Sequence, residues 1–204
     1  MRHRKRLCMS PIASNRHWRP LVAIITAVIW AFAGGPDADS AAPPVKPTEY
    51  QVKAAYLYNF GKFIHWPGAD KNDSFAICVL GRDPFGSVLD ETLANEHIDG
   101  QKVTARRLTR AQEAASSCRI VFIGSSESGR LNEILPTLGK GNVLTVADMP
   151  QFTMRGGMIQ FILQGDRVRF EVNLAAAQRA GLSLSSELLK VATSVRTTPG
   201  KESE

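Results

Sequence analysis

Six residues of this chain have the types and spacing to carry chemistry: Cys78, Cys118, Arg155, Arg167, Arg169 and Glu171. Cys78 lies in a short apolar run, Phe75 to Leu80, and Cys118 stands just before another, Ile120 to Ile123. If those runs are neighbouring strands, the Cα atoms can come within the roughly 5–6 Å that a disulfide needs. Two separately buried thiols are the alternative. Arg167, Arg169 and Glu171 alternate with Val168, Phe170 and Val172. Period two puts the charges on one face of a strand and the apolar side chains on the other. Such a face is either simply solvated or a docking surface for a ligand carboxylate or a partner protein, because guanidinium forks grip anions bidentately. Arg155-Gly156-Gly157-Met158 precedes this stretch. Adjacent glycines there point to a bulge or to a place where another backbone comes close.

The constellations of known catalysts are missing. Gly81-Arg82-Asp83-Pro84-Phe85-Gly86-Ser87 follows a strand, but the Lys-Ser/Thr pair of a phosphate loop is absent. A tight turn with Asp83 as helix N-cap and Pro84 in the first helical position is the reading. In Gly124-Ser125-Ser126-Glu127-Ser128-Gly129 the serines read as helix caps rather than an anion site. The body holds two histidines, His65 and His97, with no H-E-x-x-H and no C-x-x-C. A metal site would have to be assembled from distant residues, so neither metal nor cofactor is expected. His65, beside Trp66, reads as a packed or half-exposed ring at a helix end. No G-x-S-x-G elbow appears.

The elements that must position these residues follow from patterning. Ala41 to Pro47 is proline-rich, a linker with little capacity to pack. Thr48-Glu49-Tyr50-Gln51 fits a capping box. A helix then runs to about Ile64, with Val52, Ala55, Tyr56, Phe60 and Phe63 at helical spacing. Strands are predicted over 75–80, 103–108, 120–123 and 143–146, and helices over about 85–93 and 127–138, the latter disturbed by Pro136. Residues 158–163 and 167–173 flank Gln164-Gly165-Asp166 as a hairpin. Leu174 to Ala180 is helical with Gly181 after its end. Leu184, Leu188, Val191, Ala192 and Val195 make one stripe, predicting a helix over 184–195. Strands alternating with helices and then a hairpin imply a single-domain α/β sandwich. Its sheet is mixed and mainly parallel, its helices lie on both faces, and it ends in a C-terminal antiparallel hairpin. The domain spans 48–196, with no internal repeat and a loose tail over 197–204.

Charge separates a leader from this body. The 204 residues carry 25 Lys and Arg against 19 Asp and Glu, a net charge of +6. Six of the basic and two of the acidic residues precede Ala41, leaving 19 and 17, a net +2. A near-neutral body lacks the basic surface that phosphate-backbone binding requires, which excludes a dedicated nucleic-acid-binding domain. Leu21 to Ala33 is apolar except for Thr26, with basic residues before it and small ones after. That order reads residues 1–40 as a signal peptide, cleaved after Ala33 or Ser40. The run is shorter than the roughly 20 residues a membrane span takes. The start is Met1 or Met9, and Cys8 precedes the apolar run, so it is no lipid acceptor. Export to a periplasm leaves Cys78 and Cys118 in an oxidising compartment, where an even count favours one bond.

Longer blocks of this chain resemble a known family. Val52-Lys53-Ala54-Ala55-Tyr56-Leu57-Tyr58-Asn59-Phe60-Gly61-Lys62-Phe63-Ile64-His65-Trp66-Pro67 is similar to the opening of the YfiR/HmsC-like periplasmic proteins. Cys78-Val79-Leu80-Gly81, Asp83-Pro84-Phe85, Cys118-Arg119-Ile120-Val121-Phe122-Ile123 and Val143-Leu144-Thr145-Val146 follow in family order. Gly156-Gly157-Met158-Ile159, Arg169-Phe170-Glu171-Val172-Asn173-Leu174 and Ala180-Gly181-Leu182-Ser183-Leu184-Ser185-Ser186 complete the resemblance. It implies a non-enzymatic regulator that binds the periplasmic part of an inner-membrane diguanylate cyclase and holds it inactive. Release of such a repressor raises cyclic di-GMP and promotes biofilm formation, and redox state is among the proposed signals. Cys78 and Cys118 occupy one of the family's cysteine-pair positions. The second pair is missing, with Thr153 and Gln160 near its place. An alternative partner is a sensor kinase or an outer-membrane receptor, to which this chain would be a small-molecule-binding accessory. A small ligand and a homodimer stay open.

Overall fold

The computed structural model describes residues 47–67 and 74–197. The leader with its cleavage sites, most of the proline-rich linker and most of the tail lie outside the described residues. Thr48 starts α1, Glu49–Phe63, through the capping box: Gln51 N donates to Thr48 Oγ1 at 3.3 Å and Thr48 N to Gln51 Oε1 at 2.7 Å. Its buried stripe is Lys53, Ala54, Leu57, Phe60 and Gly61. That is rotated from the expected one, since Ala55 is exposed and Phe63 is 42% exposed. The helix turns Leu57 and Phe60 inward together because they are three apart, and Lys53 comes with them at four.

The chain continues through β1 (Ile64–His65), β2 (Phe75–Leu80), α2 (Ser87–Leu93), β3 (His97–Ile98) and β4 (Gln101–Leu108). Next come α3 (Ala111–Ser117), β5 (Ile120–Ile123), a 3-10 segment (Ser125–Arg130), α4 (Leu131–Gly139) and β6 (Leu144–Ala147). It ends with β7 (Ile159–Gln164), β8 (Arg167–Asn173), α5 (Leu174–Arg179), β9 (Ser183–Leu184), α6 (Ser186–Val191) and β10 (Ser194–Arg196). The main sheet has eight strands in the order β10-β8-β7-β6-β5-β2-β4-β3. All pairs are parallel except β7 with β8 and β3 with β4. β1 and β9 pair separately, Ile64 with Leu184. Every residue of β2 and β5 is buried, as a parallel strand covered on both faces must be.

Each face has its own core. On one, Leu57 and Phe60 of α1 meet Phe161 and Phe170 of the hairpin, with ring centroids 5.8 and 5.2 Å from Phe60. Alpha helices α2 and α6 contribute Leu89 and Leu188 to this side. On the other, α3 and α4 supply Ala114, Leu131, Ile134 and Leu138 over Cys78, Val121, Ile123 and Phe152.

Four helices differ from expectation, and the short strands β1 and β3 have no forecast. α3 has no sequence forecast, since Ala-Gln-Glu-Ala-Ala-Ser-Ser is short and weakly apolar. The first helix after β2 begins at Ser87, because Asp83 spends one oxygen on Phe85 N at 2.8 Å and so closes a turn instead of capping. The helix expected over 127–138 divides into the 3-10 segment and α4, which accommodates Pro136. The helix expected over 184–195 stops at Val191. Leu184 joins β9, and Val195 joins β10 beside Val172. The open edge of β8 offers unpaired backbone groups there, and strand pairing satisfies them where another turn of helix would not.

Strands β4 and β5 lie on opposite sides of β2. A parallel sheet wound in two directions from one strand leaves a crevice at the carboxyl ends, where such folds commonly bind ligands. Here two loops fill it. Ser126 Oγ accepts from Arg82 N at 2.9 Å, and Gly124 N donates to Leu80 O at 2.9 Å. A Cβ on Gly124 would stand 2.6 Å from Arg82 O, and one on Gly81 would stand 2.6 Å from Ser126 Oγ. Gly81 and Gly124 are thus explained by interlocking, whereas Gly86 and Gly129 face open space, and Ser126 latches loop to loop instead of capping a helix.

Candidate functional site

Strand β8 presents the alternation its sequence predicts. Val168, Phe170 and Val172 are buried under α1, Arg167 is exposed, and Arg169 and Glu171 are half-buried. Across the hairpin these three stand opposite Gln164, Ile162 and Gln160. The turn is tight, with Gly165 at φ +59. Arg167 and Arg169 border a groove of about 630 Å³ together with Glu49, Tyr56, Leu163 and Asp166. Leu163 is 58% exposed at its rim. Glu171 takes a different role. Thr153 Oγ1 donates to its Oε2 at 3.5 Å, Thr153 N donates to Gln160 Oε1 at 3.3 Å, and Asn173 Nδ2 donates to Thr153 O at 2.9 Å. Thr153 and Gln160 are both buried, and this hydrogen bond joins them across the loop before β7.

Arg155 lies elsewhere. Its Nη2 donates to Ser128 O at 2.7 Å and its Nη1 to Ser128 Oγ at 3.2 Å, tying it to the 3-10 segment. It lines a separate groove of about 500 Å³ with Leu135, Pro136, Met158 and Arg179. Gly156 adopts φ +98, and Gly157 faces the ring of Phe152. A ring, not another backbone, is what the second glycine admits.

Cys78 and Cys118 form a disulfide with Cα atoms 6.0 Å apart. Cys78 is fully buried at the centre of β2, in register with Arg106 of β4 and Val121 of β5. Cys118 caps the end of α3, and Ser117 Oγ lies 3.7 Å from its Sγ.

Two charged clusters escaped the sequence reading. Lys53 is buried on α1, and its Nζ donates to Asp148 Oδ2 at 2.6 Å and to Glu49 Oε1 at 2.5 Å. Tyr50 OH donates to the same Asp148 oxygen at 3.2 Å, and its ring lies 4.5 Å from the ammonium. Burial pulls the lysine pKa down, but hydrogen bonds to Asp148 and Glu49 outweigh it and leave it raised. Tyr50 is raised by burial and then by Asp148. A lysine in step with Leu57 and Phe60 was the available sign, since a cation on a buried stripe needs a carboxylate. Arg107 is the second cluster. It donates to Asp83 Oδ2 at 2.9 Å, forks onto both Asp90 oxygens at 2.9 and 2.6 Å, and reaches Gly86 O at 2.7 Å. Asp90, ahead of partial burial and Asp83, sets its pKa, which is raised. Both clusters tie helices to strand ends. Among the described residues no three His, Cys, Asp or Glu side chains gather to hold a metal, and no helix is long and apolar enough to cross a membrane.

A family model described as YfiR/HmsC-like matches residues 50–193. The fold is similar to that of a conserved domain protein from Vibrio cholerae O1 biovar El Tor, with 10% identity and a TM-score of 0.53 over 72% of this chain. It is also similar to the ABC domain crystallised with L-Trp from Streptococcus pneumonia, with 12% identity and a TM-score of 0.50 over 70% of this chain. The chain spans 60% of the length of each.

Proposed function

The chain belongs to the YfiR/HmsC-like family, and on that premise we propose that it is a periplasmic repressor of an inner-membrane diguanylate cyclase. The family is periplasmic, regulatory and non-catalytic. The observation that carries the proposal is that the match runs from Tyr50 to Thr193, so it takes in both cores and the β8 face. The repressor binds the cyclase's extracytoplasmic part and restrains cyclic di-GMP synthesis by binding the inactive state more tightly than the active one. Arg167 and Arg169, on the same sheet face as the half-buried Ile162 of β7, form the docking surface. An apolar side chain with arginines beside it is a composition that binding hot spots favour. The Cys78–Cys118 bond makes the restraint responsive to redox conditions.

Deleting the protein should raise cellular cyclic di-GMP, and restoring it should lower the level again. An unchanged level in the deletion strain rejects the cyclase as its target. A second reading draws on the groove at Arg167, whose volume of about 630 Å³ suits a small ligand. In that reading the chain is a ligand-binding accessory of a sensor kinase or an outer-membrane receptor. A thermal-shift screen of periplasmic metabolites tests it, since specific binding raises the melting temperature. A screen without any shift counts against it.

A further inference from the structure

A third cavity, of about 310 Å³, opens at the amino ends of the parallel strands, away from the loops that fill the crevice. Ser74 stands before β2, Arg119 before β5 and Gly141 in the turn before β6, and all three line it. Arg106 of β4 and Ser116 and Ser117 of α3 line it too. No carboxylate is in its lining among the described residues. Gly141 keeps it small. A Cβ there would collide with Ala115 O, so only glycine lets this turn close on α3.

The arginines supply donors. Arg119 N donates to Ala76 O and Arg119 O accepts from Leu144 N, each at 2.9 Å, so its backbone is pinned between β2 and β6. The residue is half-buried, and its guanidinium has no partner among the described residues. A partly desolvated cation without a counter-charge is costly, and a bound anion relieves that cost. Arg106 has Glu113 Oε1 at 3.4 Å, but both side chains are about 40% exposed. An ion pair that open is weak and leaves most of the guanidinium's donors free. The serines supply acceptors. Ser117 Oγ donates to Glu113 O at 2.7 Å, and Ser116 Oγ donates to the same oxygen at 3.1 Å. Each hydroxyl proton is thereby spent, and each oxygen keeps lone pairs to offer. The same bonds cover a carbonyl near the end of α3 that would otherwise repel an anion.

We propose that this cavity binds a small hydroxylated oxyanion, of which a sugar acid is the simplest form. The guanidiniums of Arg119 and Arg106 take the anionic oxygens, and the ligand's own hydroxyls donate to Ser116 and Ser117. Two guanidiniums alone would suit any anion. Acceptors beside them select an anion that brings donors of its own. A sugar phosphate shares this chemistry, and the probes below separate it from a sugar acid. The volume of about 310 Å³ is at the lower end for small-molecule sites, which limits the ligand to a single sugar ring. The cavity shares no lining residue with the groove at Arg167 or with the groove at Arg155. The site therefore stands whichever partner the β8 face engages.

The test is an NMR titration of the purified protein with glucuronate, glucose 6-phosphate, glucose and acetate. Glucuronate should bind roughly tenfold more tightly than glucose, the size of one charge-assisted contact, and the margin should shrink with salt. It should also bind more tightly than acetate, which has the charge without the hydroxyls. Glucose 6-phosphate binding above glucuronate assigns the anion as a phosphate, and the reverse assigns it as a carboxylate. Arg119→Gln should weaken the preferred oxyanion by roughly tenfold. Arg130→Gln is the control, since it removes the same charge from an exposed side chain outside the cavity, and should change little. Ser117→Ala should bring glucuronate down towards acetate while acetate stays unchanged. Ser116→Ala, at an exposed position, reads the same contact should Ser117→Ala lower the unfolding midpoint. No saturable binding of either sugar oxyanion, equal affinity for glucuronate and acetate, or equal losses from Arg130→Gln and Arg119→Gln would each overturn the proposal.

Discussion

Lys53 and Asp148 lie 95 positions apart in the chain and 2.6 Å apart in the fold. The contact joins the first helix to the residue that follows β6. Lys53 is almost wholly buried, while Asp148 keeps 16% of its side chain exposed. The two partners therefore stand to lose different amounts.

Removing the aspartate strands a buried cation on Glu49 alone. Asp148→Ala should lower stability by about 3 kcal/mol. Lys53→Met should cost less, because the apolar stem is retained and Asp148 keeps solvent and Tyr50. Urea midpoints of the two variants check the order. A larger loss for Lys53→Met would show that the lysine serves packing more than charge.

The same pair sets an alkaline limit. The folded pKa of Lys53 is raised above the ordinary 10.5, so folding binds its proton more tightly. Its contribution is fully present below 10.5 and is lost as pH rises through the folded value. The stability difference between wild type and Lys53→Met should be flat from pH 6 to about 9, within the range where an ordinary lysine stays protonated. It should shrink at higher pH. A difference that grew above pH 10.5 would contradict the raised pKa.

The disulfide spans a separation of 40 residues. A closed loop of that length stabilises by about 4 kcal/mol through the unfolded chain. Cys78→Ala with Cys118→Ala should fold and unfold at a lower urea midpoint, by up to that amount. Adding a reductant should then shift the midpoint of wild type and leave the double variant unchanged.

Gly157 faces the ring of Phe152. Gly157→Ala forces that buried ring aside and should cost about 1–3 kcal/mol. Gly165→Ala is the contrast, with a φ of +59 but open space around it, and should cost about 1 kcal/mol from backbone strain alone. Thermal unfolding of both variants separates the two causes.

Partner binding should depend on the β8 face without stability depending on it. Arg169→Glu should weaken binding of the purified extracytoplasmic cyclase domain by about tenfold. Its unfolding midpoint should stay within the small range usual for surface changes, about 0.5 kcal/mol. Calorimetry of the complex and of the free protein reads both numbers.

Local features were legible in the sequence, and contacts between distant elements were much less so. The Thr48–Gln51 box is complete within four residues, and the β8 alternation declares its own faces. The cysteine pairing was legible because compartment and strand adjacency both pointed to it. The stripe at Leu184, Leu188, Val191, Ala192 and Val195 is helical in spacing, yet its end is decided by the vacant edge of β8. Lys53 reads as an ordinary helix lysine until Asp148 arrives from across the sheet. Arg155 and Arg167 are close in sequence, yet β7 and the hairpin turn send them to different grooves. The glycine loops after β2 and β5 have the composition of ligand loops, and only their mutual approach shows that they occupy the crevice themselves.

The seating of α1 on β7 and β8 has a consequence for how the molecule is made. The helix that emerges first rests on strands that emerge near the end, and β10 and β9 then close over β8 and β1. During synthesis, Phe60 waits for Phe161 and Phe170 until β7 and β8 have followed, whereas α2 is within reach of α1 much earlier. A newly made copy therefore passes through an interval in which the apolar stripe of α1 is covered only in part. An escort that shields such surfaces would act on it at that stage.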